Sequence, residues 1–259
     1  MDLELKGKII IVTGGSKGIG YGICERLVQE GAIPVIVGRN KKTILEAVEQ
    51  LSKKGASVGF ALAELTDPKQ CQEAVDKVRR QYGKIDGLVN NAGVNDSIGL
   101  ESGNHKAFMD SIQKNLTHYY LMAHHALPAL KIAKGSIVNI GSKTSFTGQG
   151  GTSGYAAANG GRNALTREWA VELLPYSIRV NAVIVAECYT PLYKKWIQTF
   201  SNPEKKLKEI TQNIPLGNRM TTAQEIGDTV AFLLSERSSH TTGQLIFVDG
   251  GYSHLDRSL

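Results

Sequence analysis

The sequence predicts a doubly wound α/β fold, in which a single domain holds a seven-stranded parallel sheet flanked by helices. Short runs rich in β-branched residues alternate with longer amphipathic stretches along the whole chain. Runs such as Ile9–Val12 and Ile137–Ile140 are almost entirely apolar, which is typical of strands buried on both faces. No repeat or linker divides the 259 residues, so we predict one domain over residues 1–259.

Seven segments carry the strand pattern, and most of the segments between them have helical periodicity. The predicted strands are Lys8–Thr13, Ile33–Val37, Val58–Ala63, Asp86–Asn90, Ser136–Ile140, Ile178–Val185 and Leu245–Val248. Residues 187–222 break the alternation with aromatic, proline and charged residues where a short loop is expected. We therefore predict that residues 187–222 form a lid over a substrate site.

The composition is that of an ordinary globular protein, with 41% hydrophobic residues and a net charge of +6. Its basic pairs lie mostly in predicted helices without a nucleic-acid-binding motif, so we interpret them as solvated faces and expect no nucleic-acid partner. Cys24, Cys71 and Cys188 are far apart and, like the histidines, lack metal-ligand spacing, so we predict no metal and no disulfide framework. Without a signal-peptide layout or an apolar membrane-spanning stretch, we expect a cytoplasmic protein with no membrane partner.

A glycine-rich turn, Thr13–Gly20, follows the first strand and precedes a stretch of helical character over Tyr21–Glu30. Glycines at this point permit a tight turn and a close approach of the backbone to a pyrophosphate, and the helix N-terminus offers N–H donors. This pattern predicts a Rossmann-like dinucleotide site. The turn residues expected to hold the cofactor are Gly14, Ser16, Lys17, Gly18, Ile19 and Gly20.

The end of the second strand predicts which dinucleotide binds. NAD-selective sites carry a carboxylate there for the ribose 2′-hydroxyl, whereas this strand ends in Gly38-Arg39-Asn40. Arg39, with Lys17, is suited to a 2′-phosphate because a guanidinium donates two charge-assisted hydrogen bonds. We predict NADP(H), with Arg39 and Asn40 among its ligands. The alternatives are NAD(H) and purely solvated roles for the two cations.

Together with the glycine run, Asn90-Asn91-Ala92-Gly93 and the ordered pair Ser142 and Tyr155 resemble the short-chain dehydrogenase/reductase family over essentially the whole chain. The resemblance implies further cofactor contacts from Glu64, Leu65, Asn91, Ala92, Gly93 and Thr190. It also implies a catalytic set of Asn115, Ser142 and Tyr155. A carbonyl that accepts hydride develops negative charge on oxygen, so Tyr155 as acid or base and Ser142 as second donor suit the reaction.

The chain departs from that family at Asn159, which stands where the YxxxK motif has lysine. Asn159 lies four residues after Tyr155, on the same helix face, so its amide is placed to reach the nicotinamide ribose, but it carries no charge. A unit charge about 4 Å away contributes on the order of 4 kcal/mol at an effective dielectric of about 20, so its loss matters. Three explanations remain open: another positive charge (the oxidised nicotinamide, Lys143 or Arg162), weakened catalysis, or a nucleotide-binding scaffold or sensor without turnover.

The C-terminal half resembles the L-fucose dehydrogenase-like branch of the family. The segments that carry this resemblance include 166–170, 186–187, 190–193, 214–217, 238–244 and 254–257. It implies a sugar-like small-molecule substrate, for which Lys143, Gln149 and Glu187 are candidate binding residues. The family is usually tetrameric, so the apolar helices around Leu121–Leu130 and Ala164–Leu174 are candidate oligomer faces, with core packing as the alternative.

Overall fold

The computed structural model describes residues 1–53 and 55–255, and the predicted fold is confirmed in them. Seven parallel strands form one sheet in the order β3-β2-β1-β4-β5-β6-β7. They are β1 (Ile9–Thr13), β2 (Ile33–Gly38), β3 (Gly59–Leu62), β4 (Gly87–Asn90), β5 (Ser136–Ser142), β6 (Arg179–Val185) and β7 (Leu245–Val248). The strand order reverses beside β1, between β1 and β4, which is where ligands bind in open parallel sheets.

Helices cover both faces of the sheet. They are α1 (Gly18–Gln29), α2 (Lys41–Ser52), α3 (Pro68–Tyr82), α4 (His105–Ile112), α5 (His118–Ala133), α6 (Thr144–Thr147), α7 (Ser153–Glu172), α8 (Pro191–Ile197), α9 (Pro203–Thr211) and α10 (Ala223–Leu234). Buried side chains of α3, α5 and α7 form one apolar layer with the sheet, and those of α1, α2 and α10 form the other. The near-continuous apolar strands predicted from the sequence follow from this coverage on both sides.

Helix starts follow from local side-chain chemistry. Asn40 caps α2 by accepting from the Thr43 N–H at 3.0 Å, and Asp67 caps α3 ahead of a proline in its first turn. Helix α1 is different, because its cap residue Lys17 makes no side-chain capping hydrogen bond. The first-turn N–H groups of α1 are therefore left to a ligand or to water.

Between α4 and α5 the chain passes through one π-helical turn, Gln113–Thr117, which contains Asn115. Such turns shift the hydrogen-bonding pattern of a helix by one residue and frequently mark functional sites. Asn115 is fully buried here.

Residues 187–222 form helices α8 and α9, and an isolated bridge joins Cys188 to Thr221 at the two ends of this segment. The segment is thus a pair of short helices with closely spaced ends. That it acts as a lid remains a prediction. Of the C-terminal sequence used above, Asp256 and Arg257 lie outside the described residues, as does Lys54.

The three cysteines are buried as free thiols. Burial raises the pKa of Cys71 to about 11 and that of Cys188 to about 12, and it raises the pKa of Cys24 further still. Within the described ranges, no helix is both long and apolar enough to cross a membrane, and no group of His, Cys, Asp and Glu could hold a metal ion.

Candidate active site

The glycine turn lies at the carboxyl end of β1, and its glycines are required by close backbone contacts. Gly14 and Gly18 have positive φ, of 67° and 54°. A Cβ at Gly20 would lie 2.3 Å from the Gly14 carbonyl oxygen, and one at Gly18 would lie 3.2 Å from Cγ2 of Thr190. A Cβ does not fit at Gly20, and the positive φ of Gly14 and Gly18 disfavours one there, so the backbone itself forms the surface of the turn.

This surface fits a dinucleotide. A pyrophosphate needs bare backbone beside a helix N-terminus, and the turn supplies both at Gly18, where α1 begins uncapped. Ile19 is half-buried on the same turn, Lys17 is exposed, and the Ser16 hydroxyl lies 3.5 Å from the Thr43 hydroxyl of α2. The predicted turn residues are thus brought to one edge of the sheet; their contacts with a cofactor remain predictions.

Two residues predicted to touch the adenosine half of the cofactor pair with each other, and their cofactor contacts stay predictions. Arg39 Nη1 donates to a Glu64 carboxylate oxygen at 2.8 Å, and the Arg39 side chain is 77% exposed. Partial burial raises the pKa of Glu64, but hydrogen bonds from Arg39 and Thr66 outweigh it, so the net pKa is lowered. Glu64 is therefore an ionised partner that competes with a phosphate for Arg39, a pairing that sequence reasoning missed. Leu65 follows it and is buried.

The Asn90–Gly93 segment is held against the end of β1 by hydrogen bonds. The Thr13 hydroxyl accepts from the backbone N–H groups of Asn91 and Ala92 at 2.9 and 3.1 Å. Asn91 Nδ2 also donates to the Thr13 carbonyl at 2.9 Å. Opposite this turn, Oδ1 of Asn115 accepts from the Val94 N–H at 2.8 Å. These bonds fix the floor of the cleft between β1 and β4.

A buried chain of polar groups connects β4 and β5 to α7. Asn90 donates to Asn139 at 3.0 Å, Asn139 donates to the Thr166 hydroxyl at 3.0 Å, and Thr166 donates to the Arg162 carbonyl at 2.8 Å. Because every one of these groups is buried, the chain fixes the position of α7 relative to the sheet.

Ser142 was expected after the fifth strand, but it is the last residue of β5, which extends two residues beyond its predicted end at Ile140. Its hydroxyl accepts from the Thr144 N–H and hydroxyl at 3.3 and 3.2 Å. The following loop is tied to α7, because Asn163 donates to Ser145 at 2.9 Å and Ser145 donates to the Ser142 carbonyl at 2.8 Å. Tyr155 lies in the first turn of α7 and is half-buried.

The amide of Asn159 is occupied within the protein. Its Nδ2 donates to the Tyr155 carbonyl at 2.8 Å, and its Oδ1 accepts from Arg162 Nη1 at 3.0 Å. The residue is fully buried. The amide keeps a second N–H and a second lone pair, and contact of Asn159 with a ribose stays a prediction.

An ion pair lies at the carboxyl ends of β5 and β6. Lys143 follows Ser142, and its N–H donates to the Val185 carbonyl at 2.9 Å. Its ammonium pairs with Glu187, and the two side chains are only 10% and 14% exposed. Tyr193 of α8 is hydrogen-bonded to the same carboxylate, and burial and the Glu187 charge raise the pKa of the Tyr193 phenol.

This ion pair borders an open cavity of about 590 Å³. The cavity is lined by Lys143, Thr147, Gly148, Gln149, Tyr252, Ser253 and Leu255. Lys143 Nζ lies 3.8 Å from the centroid of the Tyr252 ring. Two of the three predicted substrate residues thus line the cavity, and the third, Glu187, pairs with Lys143. Tyr193 and Tyr252 were missed as site residues, since their positions depend on tertiary contacts.

A parallel sheet with a glycine cradle at its topological switch point, and with hydroxyl side chains at the neighbouring strand ends, defines a dinucleotide-dependent α/β enzyme architecture. A family model described as enoyl-(acyl carrier protein) reductase matches residues 14–253. The 3-oxoacyl-(acyl-carrier-protein) reductase FabG of Thermotoga maritima is 34% identical over 250 residues, which cover 96% of this chain and 99% of that protein. The chain belongs to the short-chain dehydrogenase/reductase family, whose members are oxidoreductases that use NAD or NADP.

Two further proteins are similar to nearly the whole chain. The L-fucose dehydrogenase of Bos taurus is 31% identical over 252 residues, covering 97% of this chain and 91% of that protein. The crystal structure of Cj0485 dehydrogenase superimposes on this chain with a TM-score of 0.94 at 46% identity, covering 100% of this chain and 99% of the other. The chain is thus similar to proteins that act on different substrates.

Proposed function

We propose that this protein transfers hydride between a nicotinamide cofactor and a sugar-like polyol or its carbonyl form, with NADP(H) preferred. The observation that carries the proposal is the buried Lys143–Glu187 pair immediately after Ser142, beside an open cavity. Oppositely charged groups supply both donors and acceptors, and a substrate with several hydroxyls needs both. The similarity to an L-fucose dehydrogenase supports the same substrate class.

Separate residues would accept the proton, donate a hydrogen bond to the reacting oxygen and orient the substrate. The bound cofactor supplies the hydride acceptor or donor. In the oxidation of an alcohol, carbon loses a hydride and oxygen loses a proton, and the Tyr155 phenolate accepts that proton. The Ser142 hydroxyl donates a hydrogen bond to the same substrate oxygen, and Asn115 holds the cleft wall through Val94. Lys143 and Glu187 orient the remaining hydroxyls.

Residues at the glycine turn and at the ends of β2 and β4 would hold the cofactor. The pyrophosphate is assigned to Gly14, Gly18 and the first turn of α1, and the 2′-phosphate to Arg39. The remaining assigned ligands are Ser16, Lys17, Ile19, Gly20, Asn40, Glu64, Leu65, Asn91, Ala92, Gly93, Tyr155, Asn159 and Thr190. Thr190 contributes from the start of α8, against the glycine turn.

Cofactor preference is tested by calorimetric titration with NADPH and NADH. We expect Arg39→Met to weaken NADPH binding about 10- to 100-fold, since a charge-assisted pair contributes roughly 1.5–3 kcal/mol, and to change NADH binding little. Arg80→Met, on the exposed face of α3, is the matched control. Equal loss for both cofactors, or tighter binding of NADH by the wild type, would show that Arg39 does not select the phosphate.

Turnover is tested with a panel of aldoses that includes L-fucose, with either oxidised cofactor. We expect oxidation by the wild type and, for Tyr155→Phe, a loss of more than 100-fold in kcat with cofactor affinity retained. Tyr120→Phe, at an exposed position on α5, serves as the control. Cofactor binding without turnover of any aldose would support the alternative that Asn159 motivates, a catalytically silent nucleotide-binding protein.

We also propose a homotetramer in a cytoplasmic, reducing compartment. Exposed apolar side chains on α5 and at the end of α7 support self-association, among them Ile132 at 88% and Val171 at 69% exposure. The three free thiols support the compartment. Light scattering during gel filtration tests the assembly; a monomer at micromolar concentration would exclude it.

A further inference from the structure

The region around Asn159 contains a buried cation that the family motif does not include. Arg162 is one helical turn beyond Asn159 and is only 3% exposed. Its Nε donates to the Asn115 carbonyl at 2.7 Å, and its Nη1 donates to the Ile140 carbonyl at 3.1 Å and to Asn159 Oδ1 at 3.0 Å. Three elements, the π-helical turn, β5 and α7, therefore hold one guanidinium.

The charge of this guanidinium is not neutralised. Its partners are carbonyl and amide oxygens, and no carboxylate of residues 1–53 or 55–255 forms an ion pair with it. Its Nη2 is buried without a hydrogen-bond partner among those residues. That nitrogen faces the Asn90–Gly93 turn, because a Cβ on Gly93 would lie 2.9 Å from it. Burying a cation with an unused N–H donor destabilises the fold unless a nearby group interacts favourably with its charge.

The neighbouring aromatic ring of Tyr155 is within range of the charge. The guanidinium carbon lies 5.9 Å from the centroid of the Tyr155 ring and 4.2 Å from that of Tyr119. The titratable groups of α5 against Arg162 are neutral: burial, then the Arg162 charge, lowers the pKa of His118 to about 3, and burial raises that of Tyr119. On the substrate side, Lys143 and Glu187 form a pair with no net charge.

Lys143, the other candidate cation, already has partners elsewhere in the site. Its ammonium is paired with Glu187 and lies over the ring of Tyr252. The nicotinamide ring supplies positive charge only in its oxidised form. Arg162 is permanently charged, since a guanidinium is not deprotonated in proteins.

We propose that Arg162 replaces the missing lysine as the positive charge that stabilises the Tyr155 phenolate, and that Asn159 holds its guanidinium in place. Arg162 is thus a positioning residue that acts through Tyr155. The inference rests on the proposed oxidoreductase function. The guanidinium carbon lies 5.9 Å from the centroid of the Tyr155 ring, and a positive charge at this distance favours the ionised form of the phenol.

The test is an NMR titration of the cofactor-free protein labelled with ¹³C-tyrosine, in which Tyr155→Phe assigns the Tyr155 signal. In Arg162→Met we expect this signal to titrate at a higher pH than in the wild type. Arg162→Lys should stay near the wild-type value because it keeps a charge. Arg167→Met, on the exposed face of the same helix, is the control and should leave the titration unchanged. Titration of Tyr155 at the same pH in Arg162→Met and in the wild type overturns the proposal.

A charge swap keeps the test decisive if Arg162→Met does not fold. Asn159→Lys combined with Arg162→Leu moves the cation to the usual motif position, and we expect it to retain the wild-type titration. Arg162→Gln removes the charge but keeps hydrogen-bond donors for the same carbonyl oxygens, and a wild-type titration in Arg162→Gln would also overturn the proposal. With a turned-over sugar, the acid limb of the kcat–pH profile should shift in parallel. Failure of every sugar would refute the proposed function and leave the titration of the free protein intact as a separate result.

Discussion

Replacing Gly20 by alanine should push the Gly14 carbonyl, at the start of the glycine turn, away from the first turn of α1. The added Cβ would lie 2.3 Å from the Gly14 carbonyl oxygen and 2.6 Å from Asn91 Nδ2. An ordinary contact begins near 3.4 Å, so the carbonyl must move by about 1.1 Å, and overpacking of this kind costs roughly 1–3 kcal/mol. Because both contacted groups belong to the cofactor cleft, the affinity for dinucleotide should fall at least about tenfold.

The matched control is Gly160→Ala. Gly160 lies in α7, where an added Cβ meets nothing within 4 Å. Alanine is favoured over glycine in a helix interior by roughly 1 kcal/mol, so this variant should gain stability. A domain of this size changes its Tm by about 2–4 °C per kcal/mol. We expect calorimetry to give a fall of about 2–12 °C for Gly20→Ala and a rise of a few degrees for Gly160→Ala.

The assay is a fluorescence titration with NADPH alongside these melts. Wild-type affinity in Gly20→Ala, together with an unchanged Tm, would show that the turn relaxes freely around a side chain. The close backbone approach would then not be what requires glycine at this position.

Two other predictions concern titration and charge pairing. His118 has a native pKa of about 3, below the unfolded value of 6.5, so the unfolded chain binds the proton first and stability is lost as pH falls from about 6.5 to 3. The loss is on the order of 5 kcal/mol. In urea unfolding, the stability of His118→Gln should depend less on pH in this window than that of the wild type, and an equal dependence would contradict the assignment. Lys143→Met should lower the free energy of unfolding by about 3 kcal/mol, because it leaves the Glu187 carboxylate without its cation. Lys143→Met combined with Glu187→Leu should recover most of this stability without restoring the KM for the sugar. Recovery of both together would mean that the pair serves the fold alone.

The sheet could be predicted from local sequence because its signals are local. Each strand is a short apolar run bounded by turn residues, and every predicted strand is found within two residues of its predicted ends. The largest difference, at the end of β5, has an identifiable reason. Strand β5 extends to Ser142 because β6 continues to pair with it as far as Val185.

The pairing of side chains in the site could not be predicted in the same way. Arg39 and Glu64 are 25 residues apart, and both were expected to bind cofactor, yet the register of β2 and β3 brings them together. Arg162 was one of several candidate cations, and its burial depends on the π-helical turn that presents the Asn115 carbonyl. Such contacts follow from tertiary geometry, for which a single sequence carries no periodic signal.

The reactivity of the three buried thiols can measure local opening of the fold. Cys24 lies beneath the glycine turn, where a Cβ on Gly15 would come within 2.8 Å of its Sγ. Cys71 lies on the buried face of α3, and Cys188 lies shortly before α8. Only a thiolate reacts with an alkylating probe, and burial suppresses ionisation at all three positions. The alkylation rate of each cysteine-containing peptide would therefore report local opening of its own region. A dinucleotide that binds the glycine turn should lower the alkylation rate at Cys24 before the rates at Cys71 and Cys188.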